Sequence, residues 1–235
     1  MANLRNLALA ALAVTGVAAT QIPTPAEAQV TRQGSKFLMR FKWEAGKTYT
    51  YNDSSQMAMP GAQRPQTTGA SYSIKVLSVR NGTATVEMRT QGAGANTEPV
   101  KGTIDNRGRS TMSVQGMGSE FTTWPEKPIA IGESWTQRMS GMMSSNITYR
   151  LAAVRNEGGR QVAILNMSGN VNIPQPTPQR GQPAQPAPKG TITGRMLVDV
   201  ADGMVRTGNM DIKIEMSNSQ GQRQTISGKT TITRR

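Results

Sequence analysis

The sequence predicts an all-β protein built from antiparallel strands, and three observations support this prediction. Apolar and polar residues alternate with a period of two in several segments, no segment after residue 28 has an apolar period of about 3.6 residues, and turn signals separate the extended runs. Such alternation places one face of each strand in a core and the other in water. We expect a duplicated antiparallel meander that forms a barrel, half-barrel or sandwich.

The predicted strands are clearest in three segments. In the first, Phe37, Met39, Phe41 and Trp43 alternate with mostly polar neighbours. The other two segments have apolar residues with the same spacing, at Ala84, Val86 and Met88 and at Met210, Ile212, Ile214 and Met216. Turns are predicted where glycine follows Asn, Gly or Asp, at residues 81–82, 158–159 and 202–203.

Residues 1–28 have the features of an export signal peptide. Arg5 provides a positive start, residues 7–19 are apolar, and Ala26-Glu27-Ala28 fits the small-x-small pattern of a cleavage site. We expect cleavage near Ala28, a single all-β domain over residues 29–235, and a periplasmic or secreted protein with no permanent membrane span. An uncleaved N-terminal anchor is the alternative. The chain contains no cysteine and therefore no site for N-terminal lipidation.

The chain is strongly basic, since 27 Lys and Arg residues against 14 Asp and Glu residues give a formal net charge of +13. This excess favours acidic partners, and we expect a lipid, lipopolysaccharide or another acidic envelope component. No run of basic residues is interleaved with aromatic residues, so a nucleic-acid partner is not expected. A solvated basic surface with no partner is the simpler interpretation.

An internal repeat is predicted, with units of about 46–117 and 132–217. Residues 46–51 match 132–136, residues 72–76 match 147–151, and residues 104–108 match 198–203. In this alignment a proline-rich segment, residues 174–189, falls where the first unit has the short loop 92–99. Proline cannot donate to a β-ladder, so we expect a solvated loop that is either a tolerated spacer or an arm that binds a partner.

A crossover between the two units is predicted at residues 124–135, because Pro125 and Pro128 interrupt strand pairing. Trp124 and Trp135 flank the crossover, and their large apolar area is expected to fix it to the core.

At this crossover the chain resembles a group of bacterial exported proteins that is classified only as a domain of unknown function. The resemblance rests on a Pro-x-Lys-Pro-Ile-x-Ile-Gly-Glu-Ser-Trp block at residues 125–135, a Gly-x-x-Tyr-x-Tyr strand at 46–51 and an Asp-x-x-x-Gly turn at 199–203. It implies an all-β exported fold and no known catalytic residues. Many members resemble lipoproteins, but the missing cysteine means that the resemblance does not imply membrane tethering here.

Several kinds of chemistry are excluded because the chain has neither histidine nor cysteine. Ser-His-Asp and Cys-His nucleophiles, the usual Cys/His zinc sites and disulfides all need one of these residues. Paired carboxylates remain chemically open, but Asp105, Asp199 and Asp202 fall at turns, where Asp caps the backbone. We therefore expect no catalytic residues, no cofactor, no metal site and no enzymatic activity.

The candidate site is a ligand groove lined by aromatic residues and methionines, with Lys and Arg at its rim for an anionic head group. The candidate lining residues are Trp43, Tyr49, Tyr51, Trp135, Met139 and Met143. We expect a non-enzymatic envelope protein that binds an anionic amphiphile or an envelope polymer. The alternative is a structural or interaction protein that docks through its sheet surface or its proline-rich segment.

Methionine is unusually frequent, with 15 residues in the chain. Three interpretations remain open: ordinary core filling, an adaptable apolar lining for a ligand, and a thioether site for Cu(I). The methionines that would form the thioether site are Met57, Met59, Met139, Met142 and Met143.

Overall fold

The structure is a computed structural model of the chain and describes residues 30–92, 98–112, 122–139, 144–172, 187–217 and 222–235. These residues form thirteen β-strands, and none of them belongs to a helix that could cross a membrane. The strands are β1 (Val30–Gln33), β2 (Lys36–Met39), β3 (Thr48–Ala58), β4 (Gln66–Arg80), β5 (Thr83–Gly92), β6 (Val100–Ile104), β7 (Ile129–Ala130), β8 (Ser134–Met139), β9 (Ser144–Glu157), β10 (Arg160–Asn172), β11 (Lys189–Asp199), β12 (Val205–Ser217) and β13 (Arg223–Arg234).

Ten strands form one antiparallel sheet in the order β6-β5-β4-β3-β13-β12-β11-β10-β9-β8, and three form a smaller sheet in the order β1-β2-β7. The large sheet contains two meanders, β3–β6 and β8–β13, which join where β13 pairs with β3. Within the described residues no ladder joins the edge strands β6 and β8, so the sheet is open. The predicted all-β antiparallel fold is confirmed, and the open sheet fits a half-barrel or sandwich rather than a closed barrel.

The two meanders share local backbone geometry just before a bulge. The shared hydrogen bonds are Gly46 N to Val76 O and Val76 N to Lys47 O in the first meander, and Gly132 N to Leu151 O and Leu151 N to Glu133 O in the second. The next residue of each strand, Leu77 in β4 and Ala152 in β9, is a bulge without a partner in the adjacent ladder. A bulge bends its strand and increases the local twist, so both meanders curve at the same point.

One core contains residues of both sheets, including Met39 of β2 and Ile129 of β7 together with the inner faces of the long strands. Burial alternates along these strands as predicted; in β5, for example, Ala84, Val86 and Met88 are buried. The crossover packs on the same core, because Trp124 is completely buried and Trp135 is half-buried against it. Strand β7 lies within the crossover and was not predicted.

The predicted strand over residues 37–43 is too long, because β2 ends at Met39. Burial still alternates beyond that point, since Phe41 and Trp43 are in the core. The backbone, however, bonds to two turns instead of a neighbouring strand. These hydrogen bonds are Phe41 N to Asn106 O at 2.7 Å and Lys42 N to Asp202 O at 2.9 Å.

Several predictions fall wholly or partly outside the described residues, among them the export signal over residues 1–28 and most of the proline-rich segment. The predicted end of that segment is corrected, because Lys189 is already the first residue of β11 and pairs with Asn172.

Candidate functional site

A cleft of about 520 Å³ lies beside the edge strand β8. Its walls are the turn after β6, the start of the crossover, and β8 itself. The lining includes two tryptophans, three arginines and one carboxylate, which are Trp124, Trp135, Arg107, Arg109, Arg138 and Glu126. Small-molecule sites typically occupy about 300–1,000 Å³, so the cleft is large enough for a ligand.

The crossover spans the gap between the turn after β6 and strand β8 through hydrogen bonds. On one side, Trp124 N donates to Arg107 O at 2.7 Å and Arg107 Nε donates to Trp124 O at 3.1 Å. On the other side, Trp135 Nε1 donates to Thr123 O at 2.9 Å, and Gln137 Oε1 accepts from Thr123 N at 2.8 Å. One backbone and three side-chain hydrogen bonds therefore make the connection that a β-ladder would make in a closed sheet, and the cleft lies along this seam.

The turn after β6 is organised by the carboxylate of Asp105. Its Oδ1 accepts from the backbone N–H groups of Arg107 and Arg109, each at 2.9 Å, and its Oδ2 accepts from Arg109 Nε at 2.6 Å. Burial by itself raises the pKa of Asp105, but the hydrogen bonds from Arg109 and Arg107 outweigh it and hold this pKa below its ordinary value. The ionised carboxylate thus fixes the backbone that carries two of the cleft arginines.

A further arginine holds the start of the crossover. Arg40 donates to Pro125 O at 2.8 Å and to Glu126 O at 2.7 Å. Burial and the neighbouring guanidinium of Arg107 lower the pKa of Arg40. Burial is the larger of the two causes, and the carboxylates of Asp105 and Glu126 oppose the shift.

Arg138 is the cleft arginine whose charge is least engaged. It is exposed in β8, and its side chain makes no hydrogen bond or ion pair with any residue that the structure describes. By contrast, Arg109 pairs with Asp105, and Arg107 lies 3.9 Å from the carboxylate of Glu126. The guanidinium of Arg138 is therefore available to a ligand without breaking a contact between described residues.

The indole of Trp124 has a buried donor with no partner. The residue is 0% exposed, yet its Nε1 has no hydrogen-bond acceptor among the described residues. Leaving such a donor unsatisfied costs about 1–3 kcal/mol. Its ring is fixed by Phe41 and Trp135, with centroid distances of 5.2 Å and 6.1 Å.

The predicted groove residues are divided between the cleft and the core. Trp135 lines the cleft, Met139 is the last residue of β8, and Met143 lies outside the described residues. Trp43, Tyr49 and Tyr51 are all buried in the core. The structure therefore does not bring these six residues together along one described surface.

The aromatic residues of the two halves form a continuous series of ring contacts. In order, the rings are Tyr49, Trp43, Phe41, Trp124, Trp135 and Tyr149, with neighbouring centroids 5.2 to 6.1 Å apart. Tyr51 stacks on Tyr72 at 4.9 Å. Burial raises the pKa of Tyr72 to about 12 and also raises that of Tyr51, so both phenols stay neutral at physiological pH.

The methionines proposed for Cu(I) are not shown as a cluster. Met57 and Met59 are 38% and 41% exposed, and neither fills the core. Met142 and Met143 lie outside the described residues. Binding of Cu(I) by these thioethers stays a prediction.

The acidic residues at the turn after β11 have structural partners. Arg234 donates to Asp202 Oδ2 at 2.8 Å and to Asp199 Oδ2 at 3.0 Å, and all three side chains are no more than 11% exposed. No group of three or more acidic side chains suited to a metal ion occurs in the described part of the chain.

Sequence reasoning did not identify the three cleft arginines. Arg107 and Arg109 flank a glycine in a turn that was noted only as a repeat position, and Arg138 is one of many basic residues on polar strand positions. No local sequence pattern distinguishes these three arginines. Residues 107–109 are far from residue 138 in the sequence, and they line one cleft only because the crossover connects the turn after β6 to β8.

The sequence model of one protein family, described as a family of unknown function (DUF6263), matches residues 75–205. No curated protein matches the chain. The matched residues include the Pro125–Trp135 block, the cleft and the Asp199–Gly203 turn. The predicted relation to a family of unknown function is thereby confirmed.

Proposed function

The chain belongs to the DUF6263 family, whose function is unknown, so we propose from the cleft itself that the protein is a non-enzymatic exported protein that binds an anionic amphiphile. The observation that carries this proposal is the lining of the cleft, which combines three arginines with two tryptophans and a single glutamate. Guanidinium groups bind phosphate, sulfate or carboxylate head groups, and the half-buried indole of Trp135 can pack against an apolar chain, whereas Trp124 is completely buried.

The arrangement of the arginines supports a head-group site. Arg107 and Arg109 project from a turn whose backbone is held by Asp105, so little conformational entropy is lost when an anion binds there. Arg138, on β8, lines the same cleft, and its side chain has no hydrogen bond or ion pair with a described residue. Together they can surround one anionic group.

The proposal that the protein is not an enzyme rests on the groups present in the chain. Without histidine or cysteine the chain lacks the side chains that most often transfer protons or form nucleophiles near neutral pH. Glu126 is the one carboxylate in the described lining of the cleft, whereas hydrolysis by paired carboxylates needs two. Export is proposed on the signal-like pattern of residues 1–28.

The test is a titration of the purified protein with lysophosphatidylglycerol below its micelle concentration, followed by tryptophan fluorescence. We expect saturable binding, because Trp124 and Trp135 line the cleft and report on its polarity. Replacing Arg138 with Gln should raise the dissociation constant about tenfold, as expected for one charge-assisted hydrogen bond. Zwitterionic lysophosphatidylcholine should bind more weakly than the anionic lipid.

The matched control is Arg80→Gln, which removes the same charge from an exposed position at the end of β4. It should leave binding unchanged. Equal losses in both variants, or equal affinity for the two lipids, would contradict a head-group site in the cleft. Native mass spectrometry of the protein purified from its exported compartment adds an independent readout, since a bound amphiphile gives a discrete extra mass that organic extraction removes.

A further inference from the structure

We propose that the outer face of strands β8–β13 binds an acidic polysaccharide, centred on a groove over β10, β11 and β12. The groove is separate from the proposed amphiphile site, since none of its lining residues lines the cleft beside β8, and the two sites meet only at Arg138 on the edge of this face. The proposal therefore stands or falls independently of the proposed function.

The outer face is defined by the alternation of burial along these strands. In β11, Ile192 and Met196 are buried, while Thr191, Thr193 and Arg195 are exposed. The neighbouring strands alternate in the same way, except that Val162 and Ile164 on the outer side of β10 are buried. The strand registers align the outer side chains in rows. One row contains Arg150, Asn166, Arg195 and Asn209, and another contains Arg138, Asn146, Asn170, Thr191 and Lys213.

The charges on this face are predominantly positive. The exposed cations are Arg138, Arg150, Arg155, Arg160, Lys189, Arg195, Lys213, Arg223 and Lys229, and the exposed acids are Asp211 and Glu215. Arg155 pairs with Glu157 and Arg160 with Asp199. Glu215 pairs with Lys213 at 2.8 Å. The side chains of Lys189, Arg195 and Lys229 make no hydrogen bond or ion pair with any of the described residues. Three cations are therefore available to an acidic partner, and hydroxyl and amide groups lie between them.

A groove of about 480 Å³ lies within this face. The side chains that project into its lining from the outer face are Asn170, Asn172, Lys189, Thr191, Lys213 and Glu215. Amides and hydroxyls both donate and accept hydrogen bonds, as sugar hydroxyls do, and the two ammonium groups can pair with a carboxylate. The groove thus offers the complement of a sugar ring that carries an acidic group.

Other anionic partners fit this face less well. Single-stranded nucleic acids are held by stacking on aromatic side chains, and the described outer positions of β8–β13 carry none. Binding to a lipid surface needs exposed apolar side chains. The large exposed apolar residues, Met57, Met59, Leu77 and Ile131, lie elsewhere, on or after β3, in the β4 bulge and in the turn before β8. A polymer that combines acidic groups with many hydroxyls is the better complement.

The test uses alginate, an uncharged dextran of similar length and poly-L-glutamate as probes of the full mature chain, by isothermal titration calorimetry at about 0.15 M salt. We expect alginate to bind and dextran not to bind. The variant K189Q/R195Q/K213Q should lose about tenfold or more in affinity for alginate. The control K75Q/R80Q/K101Q removes the same charge from the outer side of β4 and β6. Its affinity for alginate should stay close to that of the unmodified protein.

The hydrogen-bonding part of the surface is tested by the variant N170A/N172A, which keeps every charge. It should weaken alginate binding several-fold and leave poly-L-glutamate binding unchanged. The proposal is overturned if alginate does not bind, if both triple variants lose affinity equally, or if poly-L-glutamate binds as tightly as alginate. The last two results would mean that the net charge of the chain, rather than this face, attracts polyanions.

Discussion

At the scale of single residues, folding moves the pKa of two aspartates in opposite directions. Burial by itself raises the pKa of Asp105, but hydrogen bonds from Arg109 and from two backbone N–H groups bring it below the ordinary value of 3.8. Asp53 has no such set of donors: burial raises its pKa, and the single hydrogen bond from Ser55 Oγ offsets only part of that rise. The same side chain type therefore stabilises one turn and weakens one strand at neutral pH.

These shifts have opposite consequences for the pH dependence of stability. The unfolded chain protonates Asp105 first as the pH falls, so its stabilising contribution is present above its ordinary pKa and is lost on acidification through the lower folded pKa. The folded state protonates Asp53 first, so the contribution of Asp53 is present below its ordinary pKa and is lost as the pH rises through the higher folded value.

We predict that Asp105→Asn lowers the free energy of unfolding at pH 7 by about 1 kcal/mol, because a charge-assisted hydrogen bond is weakened. It should also reduce the loss of stability between about pH 4 and pH 2. Asp53→Asn should have the opposite effect at pH 7, because it should increase the free energy of unfolding. Urea unfolding followed by tryptophan fluorescence over this pH range measures both. If both variants change the free energy of unfolding at pH 7 in the same direction, the opposite pKa shifts of Asp105 and Asp53 are contradicted.

At the scale of elements, the segment after β2 is held between the turns that follow β6 and β11. Its backbone donates to Asn106 in the first turn and to Asp202 in the second. Gly203 in the second turn has φ of 70°, and a Cβ added there would overlap the carbonyl oxygen of Arg40. The close approach of these two backbones explains why glycine is needed at this position.

Two glycines with the same backbone conformation give a matched test of this packing. Gly159, in the β9–β10 turn, has φ of 75° with nothing within 4 Å of an added Cβ. We predict that Gly159→Ala costs about 1–2 kcal/mol for the left-handed backbone alone. Gly203→Ala should cost about 3 kcal/mol or more, because overpacking is added. If both variants lose the same free energy of unfolding in chemical denaturation, segment 40–43 is free to move away from the turn.

At the scale of the whole molecule, the large sheet is completed by pairing between distant parts of the chain. Strands β13 and β3 join the two meanders, and the crossover links the turn after β6 to β8. The proline-rich insertion connects β10 and β11 at a point where Asn172 already pairs with Lys189. It therefore adds chain at the end of a ladder that is complete without it.

We predict that replacing residues 173–188 with Asn-Gly changes the free energy of unfolding by less than about 1 kcal/mol, because loop closure entropy depends only weakly on length. A two-residue turn of this type suits an antiparallel hairpin. Urea unfolding measures the effect. A loss above about 2 kcal/mol would mean that the insertion packs on the sheet. Loss of a binding partner without loss of stability would support the alternative that this segment is an interaction arm.

The sequence by itself determined the fold class, the main turns, the crossover and the burial of alternate strand residues. These features depend on near neighbours, because strand alternation and turn chemistry act over a few residues. The predicted burial of Phe41 and Trp43 was correct for this reason, although the strand that should contain them was not. Local patterns fix which way a side chain points without fixing the partner of its backbone.

Only the tertiary structure decided that the sheet stays open, that Trp43, Tyr49 and Tyr51 fill the core instead of lining a ligand groove, and that three arginines and two tryptophans line one cleft beside β8. Each of these results depends on contacts between residues that are far apart in the chain, such as Arg107 with Trp124 and β13 with β3. A period-two pattern is identical for a closed barrel, a half-barrel and a sandwich, because the choice depends on how strand edges meet rather than on which side chains are apolar.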